Sequence, residues 1–574
     1  MTNDLPRRDG MFRTTLVVLL LTILFDRLFW DQRMGLNLVL FAPIAMACSA
    51  IAFRRAVSRS AWVTLSGLAV ACAMVLVHGS TVARFAALLL LGVSAVLLLE
   101  PTLRSLPFAL VGWFVNVIHA PVGMAGVLGE GLKELPATRS GWRWTRMAFV
   151  PVLVLVLYLV IYRAANPRFD ALAAGFFGDF FDLLWDMIAE LFTARMFFVA
   201  FGLLMSGALI HRFAPPLFTG PSWPMNEWLQ RVRKKRPQWM VPLSMGALDR
   251  ERRAGVLLLA MVNGLLLIVN MVDISWVWFG FKVEEGFSLK QFVHEGTWLL
   301  ILSILLSIGI LLHLFRGNLN FHPKERPLRL LASAWIAQNF ILGISVFLRN
   351  YHYINFHGLA YKRIGVIVFL LLMLVGLVTL YLKIRRRHTL YYLLRVNAWA
   401  AFLALVGLST VNWDGVIVRY NLAHWNQGEI DVDNYLAMSD KVLPLLYADL
   451  PKVEAQMAQH RYNSVRWVEH LDPATFRTDL DRKRERFLMR YNEQDWRSWT
   501  LADQRTFEAL KARQLASYSK PAAATTASMQ AAMEAVVEEA EPDVSEVEPE
   551  VEAEADGGEA RVVEPMNVEG ADRN

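Results

Sequence analysis

Apolar residues in this chain come in runs of about 20, with few charges inside each run and clusters of them between. About eleven such runs are visible, at 14–30, 36–53, 61–79, 82–99, 147–164, 194–211, 254–275, 292–315, 329–348, 363–383 and 391–412. A helix of roughly 20 residues covers the ~30 Å hydrocarbon layer and satisfies its own backbone there. The pattern therefore predicts an all-α, polytopic transmembrane bundle of about eleven spans over residues 1–417.

Two apolar stretches fit less simply. Pro107 to Gly126 contains Asn116, His119 and Pro121, and reads as an interfacial or re-entrant helix. Phe169 to Leu191 places Asp179, Asp182, Asp186 and Glu190 along one helix face, which suits a helix lying on the outer surface. The first run follows Arg7, Arg8 and Arg13, as a signal peptide would, but continues through Asp26, Arg27 and Trp30 without a small-residue cleavage pattern. It is counted as the first span.

Past residue 417 the character changes. Residues 418–518 read as an extracytoplasmic helical domain, with Tyr435, Leu436, Met438, Val442, Leu443, Leu445 and Leu446 as a buried helix face. Thr500 and Asp503 resemble a capping box for a helix that follows. Trp467, Trp496 and Trp499 read as core or interface anchors. Residues 519–574 form an acidic tail, with fifteen acids against two arginines from Glu534 onward and no aromatic residue there. Such a segment buries too little apolar surface to offset its ordering entropy, so disorder is expected.

Charge orients the helices. Arg54, Arg55 and Arg59, then Arg139, Arg143 and Arg146, then Arg231 to Arg236, then Arg316, Lys324, Arg326 and Arg329, then Lys383 to Arg387 occupy every second gap. Loops rich in Lys and Arg stay inside, which puts the N-terminus in the cytoplasm and the C-terminus in the periplasm of an inner membrane. The gap from Arg349 to Arg363 breaks this rule, since it should face outward yet carries Arg349, Lys362 and Arg363. A local task for those cations is the preferred explanation.

The composition agrees, at 55% hydrophobic, 19% charged and a mean hydropathy of +0.36. The whole chain has a net charge of +7, and removing the acidic tail leaves a body near +20. Most of that charge sits in loops that touch anionic lipid, so the bilayer is the expected partner and nucleic acid is not. Cys48 and Cys72 both fall inside spans and read as small packing residues rather than a disulfide or metal site.

Soluble catalytic motifs are missing: there is no phosphate-binding glycine loop, no His-Glu-x-x-His helix and no Gly-x-Ser-x-Gly elbow. No cofactor is expected, and the reading leans away from an enzyme. Polar groups gather instead at the outer ends of the helices. Arg349, His352, Lys362 and Arg363 are candidates for attracting an anionic or lipid-derived ligand, with His294, Glu295 and Asp273 as proton-exchanging groups or partners. The plainer alternative makes them interfacial caps and interhelix salt bridges. A metal held by His294, Glu295, His352 and His357 lacks any known ligand spacing, so no metal site is expected. Gln338 and Asn339 in the ninth run read as glue between helices. Alternatives of other classes are a membrane-embedded transferase or hydrolase acting on a lipid-linked substrate through His294 or Glu295, and a scaffold that recruits envelope proteins.

Several stretches carry a resemblance: Phe25 to Trp30 (FDRLFW), Asn270 to Phe281 (NMVDISWVWFGF), Phe292 to Thr297 (FVHEGT), Phe315 to Phe321 (FRGNLNF), Arg349 to Tyr353 (RNYHY), Gly358 to Gly365 (GLAYKRIG) and Asn434 to Ser439 (NYLAMS). Together they resemble a bacterial family of multi-span inner-membrane proteins catalogued as a domain of unknown function. The resemblance implies location and architecture, and assigns no catalytic residue.

Overall fold

The computed structural model describes residues 8–53, 57–132, 193–213, 226–231, 244–279, 296–424, 433–459 and 471–513, with scattered positions from 151 to 169. Outside this set fall most of the expected 147–164 span, nearly all of 169–191, His294, Glu295, Trp467 and the acidic tail. Among the described residues the fold is helical, its one β pairing being the isolated bridge Trp228–His388. Residues Met1–Leu510 form one compact unit and Lys511–Asn574 another.

Among the described residues, eleven helices make up the apolar region: α1 (Arg8–Phe29), α2 (Leu36–Phe53), α3 (Arg59–His78), α4 (Thr81–Leu99), α5 (Leu106–Leu132), α6 (Ala194–Ile210), α7 (Ser244–Asp273), α8 (Thr297–Leu314), α9 (Arg326–His357), α10 (Tyr361–Arg386) and α11 (Leu390–Ser409). Eight stretches in these helices are long and apolar enough to cross a membrane, and Leu36–Ile51 and Ala194–Ile210 are shorter apolar helices. This is the build of an integral membrane protein. Side-chain caps set many of the starts: Ser58, Ser80, Thr193 and Thr389 each accept from a backbone N–H three residues on.

Two apolar cores hold the bundle. The first joins α1–α6, with Phe402 of α11 closing over Gly67. The second joins α7–α10, with Leu393 of the same α11. A third core belongs to the C-terminal helices α12 (Trp413–Ala423), α13 (Asn434–Ala437), α14 (Leu443–Ala448), α15 (Leu450–Gln459), α16 (Pro473–Glu493) and α17 (501–513), and takes in Ile364 from α10. The capping box is present, as Thr500 Oγ1 donates to Asp503 Oδ2 at 3.0 Å and accepts from Asp503 N at 3.2 Å.

Contacts between helix ends sort into two faces. On one, the turn after α1 meets the C-terminal helices, where Arg33 N donates to Ser498 Oγ at 2.9 Å and Leu36 N donates to the Trp499 carbonyl at 3.1 Å. The α3–α4 turn lies there too, because Lys441 Nζ donates to the His78 carbonyl at 2.6 Å. On the other face Arg212 pairs with Glu100 at 2.6 Å, Arg387 with Glu325 at 2.7 Å and Arg395 with Glu227 at 2.7 Å. Lys383 Nζ caps the end of α8 by donating to the Phe315 carbonyl at 3.1 Å. Among the described residues, Arg329, Lys383 and Arg387 thus share one end of the bundle, around Glu325 and the end of α8.

Two expectations change and a third is qualified. The stretch from Arg349 to His357 is the last two and a half turns of α9 rather than a loop, because Arg349, Asn350, Tyr353 and Ile354 are buried against neighbouring helices. The expected single helix face from Tyr435 to Leu446 breaks into α13, the 3₁₀ turn Asp440–Val442 and α14, since Pro444 has no N–H and opens a new helix. Lastly, Leu106–Val127 is long and apolar enough to cross a membrane. Its contacts run otherwise: Asn116 donates to the carbonyls of Ala208 and His211 at 2.8 and 2.9 Å, while Gly207 abuts Met124. Residues 116 and 124 lie about 12 Å apart along α5 yet meet the same last turn of α6, so α5 passes obliquely over that helix end.

Candidate functional site

Helices α7 and α9 run in the same direction and meet along a polar seam. On α7, Asn263, Asn270 and Asp273 share one face; on α9, Gln338, Ser345, Arg349 and His352 do. Asn263 Nδ2 donates to the Leu331 carbonyl at 3.0 Å, Gln338 Nε2 donates to Asn263 Oδ1 at 2.9 Å, and Asn270 Nδ2 donates to the Gln338 carbonyl at 3.1 Å. The glue expected of Gln338 is therefore present.

At the end of this seam Arg349 Nη2 donates to Asp273 Oδ1 at 2.5 Å, with the two residues 7% and 5% exposed. Helix side chains lean toward the N-terminus, which lets Arg349 reach back down α9 to Asp273. Directly after Asp273 the chain widens into a π-helical turn, Ile274–Trp278. That turn aims two groups at α9: Trp278 Nε1 donates to Ser345 Oγ at 2.9 Å, and the Val277 carbonyl lies 3.2 Å from His352 Nε2. This terminal turn sets Val277 and Trp278 against α9 beside the Arg349–Asp273 pair.

The other candidates are placed differently. Arg363 Nη1 donates to the carbonyls of His357, at 2.7 Å, and Gly358, and its guanidinium lies 4.6 Å from the Tyr353 ring centre. This cation answers the bare carbonyls at the end of α9. Lys362, one residue away, is exposed on the first turn of α10. His294 and Glu295 lie outside the described residues. Arg349, Lys362 and Arg363 are thus brought to one end of the bundle, but two of them are engaged, with a carboxylate and with a helix terminus.

A second polar centre surrounds Asp414, which the sequence places at the outer end of the last apolar run without showing its partners. Asp414, in the first turn of α12, accepts from Tyr361 Oη on one oxygen and from Ser439 Oγ at 2.7 Å on the other, where Lys441 Nζ also lies at 3.1 Å. Burial alone pushes the Asp414 carboxyl up, but Lys441 and the hydrogen bonds outweigh it and hold the group below the usual carboxylate value. Nearby, Lys483 Nζ donates to the carbonyls of Leu436, at 2.8 Å, and Met438. Burial lowers that ammonium, against the pull of Asp440 and Asp414. The signal lay in the motifs: GLAYKRIG supplies Tyr361, NYLAMS supplies Ser439, and the two converge on one buried carboxylate.

Among the described residues no three His, Cys, Asp or Glu side chains gather as a metal centre requires. Of the described histidines in the candidate metal set, His352 faces the Val277 carbonyl and His357 lies tilted beside Tyr353, ring centres 4.6 Å apart.

No curated protein and no solved structure matches this chain. Residues 41–448 match the family described as Domain of unknown function (DUF4153), a range that takes in the α7–α9 seam and the Asp414 centre and stops before α15. By that match over most of its length, this chain belongs to the DUF4153 family.

Proposed function

We propose that this protein is an inner-membrane bundle that binds or moves an anionic or lipid-derived ligand at its outer face, as a transporter-like or sensory component. The proposal includes eleven crossings, a cytoplasmic N-terminus and a periplasmic helical domain. Supporting the count, α1–α4 and α6–α11 run between the two end faces, and the chain leaves one face at Glu100 and reappears on the other at Arg195, beside Asp26. With the expected 147–164 run as one crossing between them, the count is eleven. The oblique seat of α5 favours the 147–164 run for it. Clustering of Lys and Arg at the Glu325 and Glu227 face supports calling that face cytoplasmic.

One observation carries the ligand reading: the buried Arg349–Asp273 pair at a π-helical turn, at the end of the bundle that also carries the exposed Lys362. An ionised residue at membrane depth costs roughly 2.5–3.5 kcal/mol on insertion scales, and a pair doubles the number of groups to be desolvated. An anion arriving by way of Lys362 takes Arg349 from Asp273, so the pair is a latch that a ligand opens. The test is mass spectrometry of lipids and small anions that co-purify in mild detergent. A species enriched with the wild type and lost in Lys362→Ala, with unfolding unchanged, supports the reading. Identical co-purifying species in wild type, Lys362→Ala and Arg349→Ala would overturn it.

A further inference from the structure

Cations at the Glu325 end of the bundle fall into two groups. One group is spent inside the protein: Arg329 and Arg387 share Glu325, Arg395 holds Glu227, and Lys383 caps α8. The other group is Arg231 with Arg385 and Arg386 of the last turn of α10, all exposed, and none of the three pairs with an acid among the described residues. Backbone contacts bring this second group to one place. Residues 226–231 lie as a short clip on the α10–α11 turn: Leu229 N donates to the Arg387 carbonyl at 2.9 Å, Thr389 N donates to the Glu227 carbonyl at 3.0 Å, and Thr389 Oγ1 donates to the Asn226 carbonyl at 2.6 Å. Glu227 and Leu229 are half-buried in the clip, whereas Trp228, Gln230 and Arg231 are exposed. Trp228 rests on the buried His388 ring, centres 4.4 Å apart, yet stays 56% exposed, and Leu390, two residues past His388, is 52% exposed.

The turn joins two helices long and apolar enough to cross a membrane, Tyr361–Arg386 and Leu390–Ser409, so it lies where a bilayer meets water. We infer that this turn, with Trp228 and Leu390 as apolar anchors and Arg231, Arg385 and Arg386 as cations, is a docking surface for anionic phospholipid headgroups. Charge complementarity selects the occupant. Glu325 and Glu227 are already taken by internal arginines, so the exposed guanidiniums draw phosphate from outside, to which a guanidinium donates paired hydrogen bonds. An exposed indole beside them suits the same layer, since its ring enters the acyl boundary while its N–H stays among headgroups. A membrane presents many phosphates in one plane, so each cation takes its own and no common focus is needed. Anionic lipid docked here pins the clip against the first turn of α11. This goes beyond the ligand reading, because it concerns the end of α10 opposite Lys362 and holds whether or not the Arg349–Asp273 pair opens.

The test uses full-length protein in neutral detergent micelles, titrated with phosphatidylglycerol, phosphatidylcholine or inorganic phosphate at constant ionic strength. Thermal unfolding and native mass spectrometry report binding. Saturable stabilisation by phosphatidylglycerol, and not by phosphatidylcholine or inorganic phosphate, is expected. Arg231→Gln and Arg386→Gln each raise the half-saturating lipid fraction by roughly fivefold, the loss of one cation near a charged surface, while Arg386→Lys keeps most of the response. Trp228→Ala weakens binding without changing its salt dependence, because the anchor carries no charge. Arg505→Gln, an exposed arginine on α17 at the other face, leaves the titration unchanged. Arg231 and Arg386 make no internal ion pair, so both variants should unfold as the wild type does in lipid-free detergent. Equal responses to the two lipids overturn the inference, as does a wild-type titration in the double variant Arg231→Gln, Arg386→Gln. A response to inorganic phosphate equal to that to phosphatidylglycerol overturns it as well, since it shows a site for a free anion.

Discussion

Asn421 grips Leu359 by both ends of its amide: Oδ1 accepts from Leu359 N at 2.6 Å, and Nδ2 donates to the Leu359 carbonyl at 3.0 Å. The α9–α10 turn is thereby bound to α12, so the membrane bundle and the C-terminal helices share a backbone contact. Gly358 makes this possible, with φ at +78° and no Cβ to strike Asn421 Oδ1, which would lie 2.7 Å away. Gly358→Ala is expected to cost about 1–3 kcal/mol in thermal unfolding, from backbone strain and the clash together. Gly365→Ala, on the next helix with open space around it, should be neutral or slightly stabilising. Equal tolerance of both substitutions would contradict this account of the turn.

Breaking the Arg349–Asp273 pair from either side leaves a buried charge alone. Arg349→Met and Asp273→Leu are each expected to destabilise by about 3–5 kcal/mol, whereas the double variant recovers most of that loss. A double-mutant cycle on thermal or denaturant unfolding in detergent measures it. Additive losses would show that the two side chains do not depend on one another.

Acid should loosen the C-terminal helices through Asp414. Its folded value lies below the ordinary 3.8, so as pH falls the unfolded chain takes up the proton first. Stability from this carboxylate is complete at neutral pH and is lost as pH drops from about 3.8 toward the folded value. Asp414→Asn should therefore destabilise at pH 7 and converge with the wild type in strong acid. A gap between the two unfolding midpoints that stays constant across this range would exclude Asp414 as the acid-sensitive anchor.

The proposed orientation is open to a direct check. A phosphatase reporter that is active only in the periplasm should work when fused after Arg513 and stay silent when fused at Lys235. Activity at Lys235 would invert the assignment of the two faces.

Most of the long apolar helices were legible because an apolar run of membrane length has few alternative uses. The helix ends were less so. Arg349, Asn350 and His352 look like loop residues by composition, yet they stand in α9 with tertiary contacts to Asp273, the Arg363 carbonyl and the Val277 carbonyl. Asp273 and Arg349 were both singled out as site residues, but nothing in one-dimensional spacing pairs positions 76 apart on parallel helices. The Asp414 centre shows the same limit, since its four members come from three separated segments. Broken helices around Pro444 were visible in principle, because a proline inside an apolar period marks a new start.

Helix α11 places Phe402 in one core and Leu393 in the other, nine residues and about 13 Å apart on a single rod. If the two halves of the bundle rock against each other, α11 is the axle, and it must roll or bend because it is fixed in both. Substitutions that stiffen or kink this one helix should then act on the traffic of the whole protein while touching no ligand.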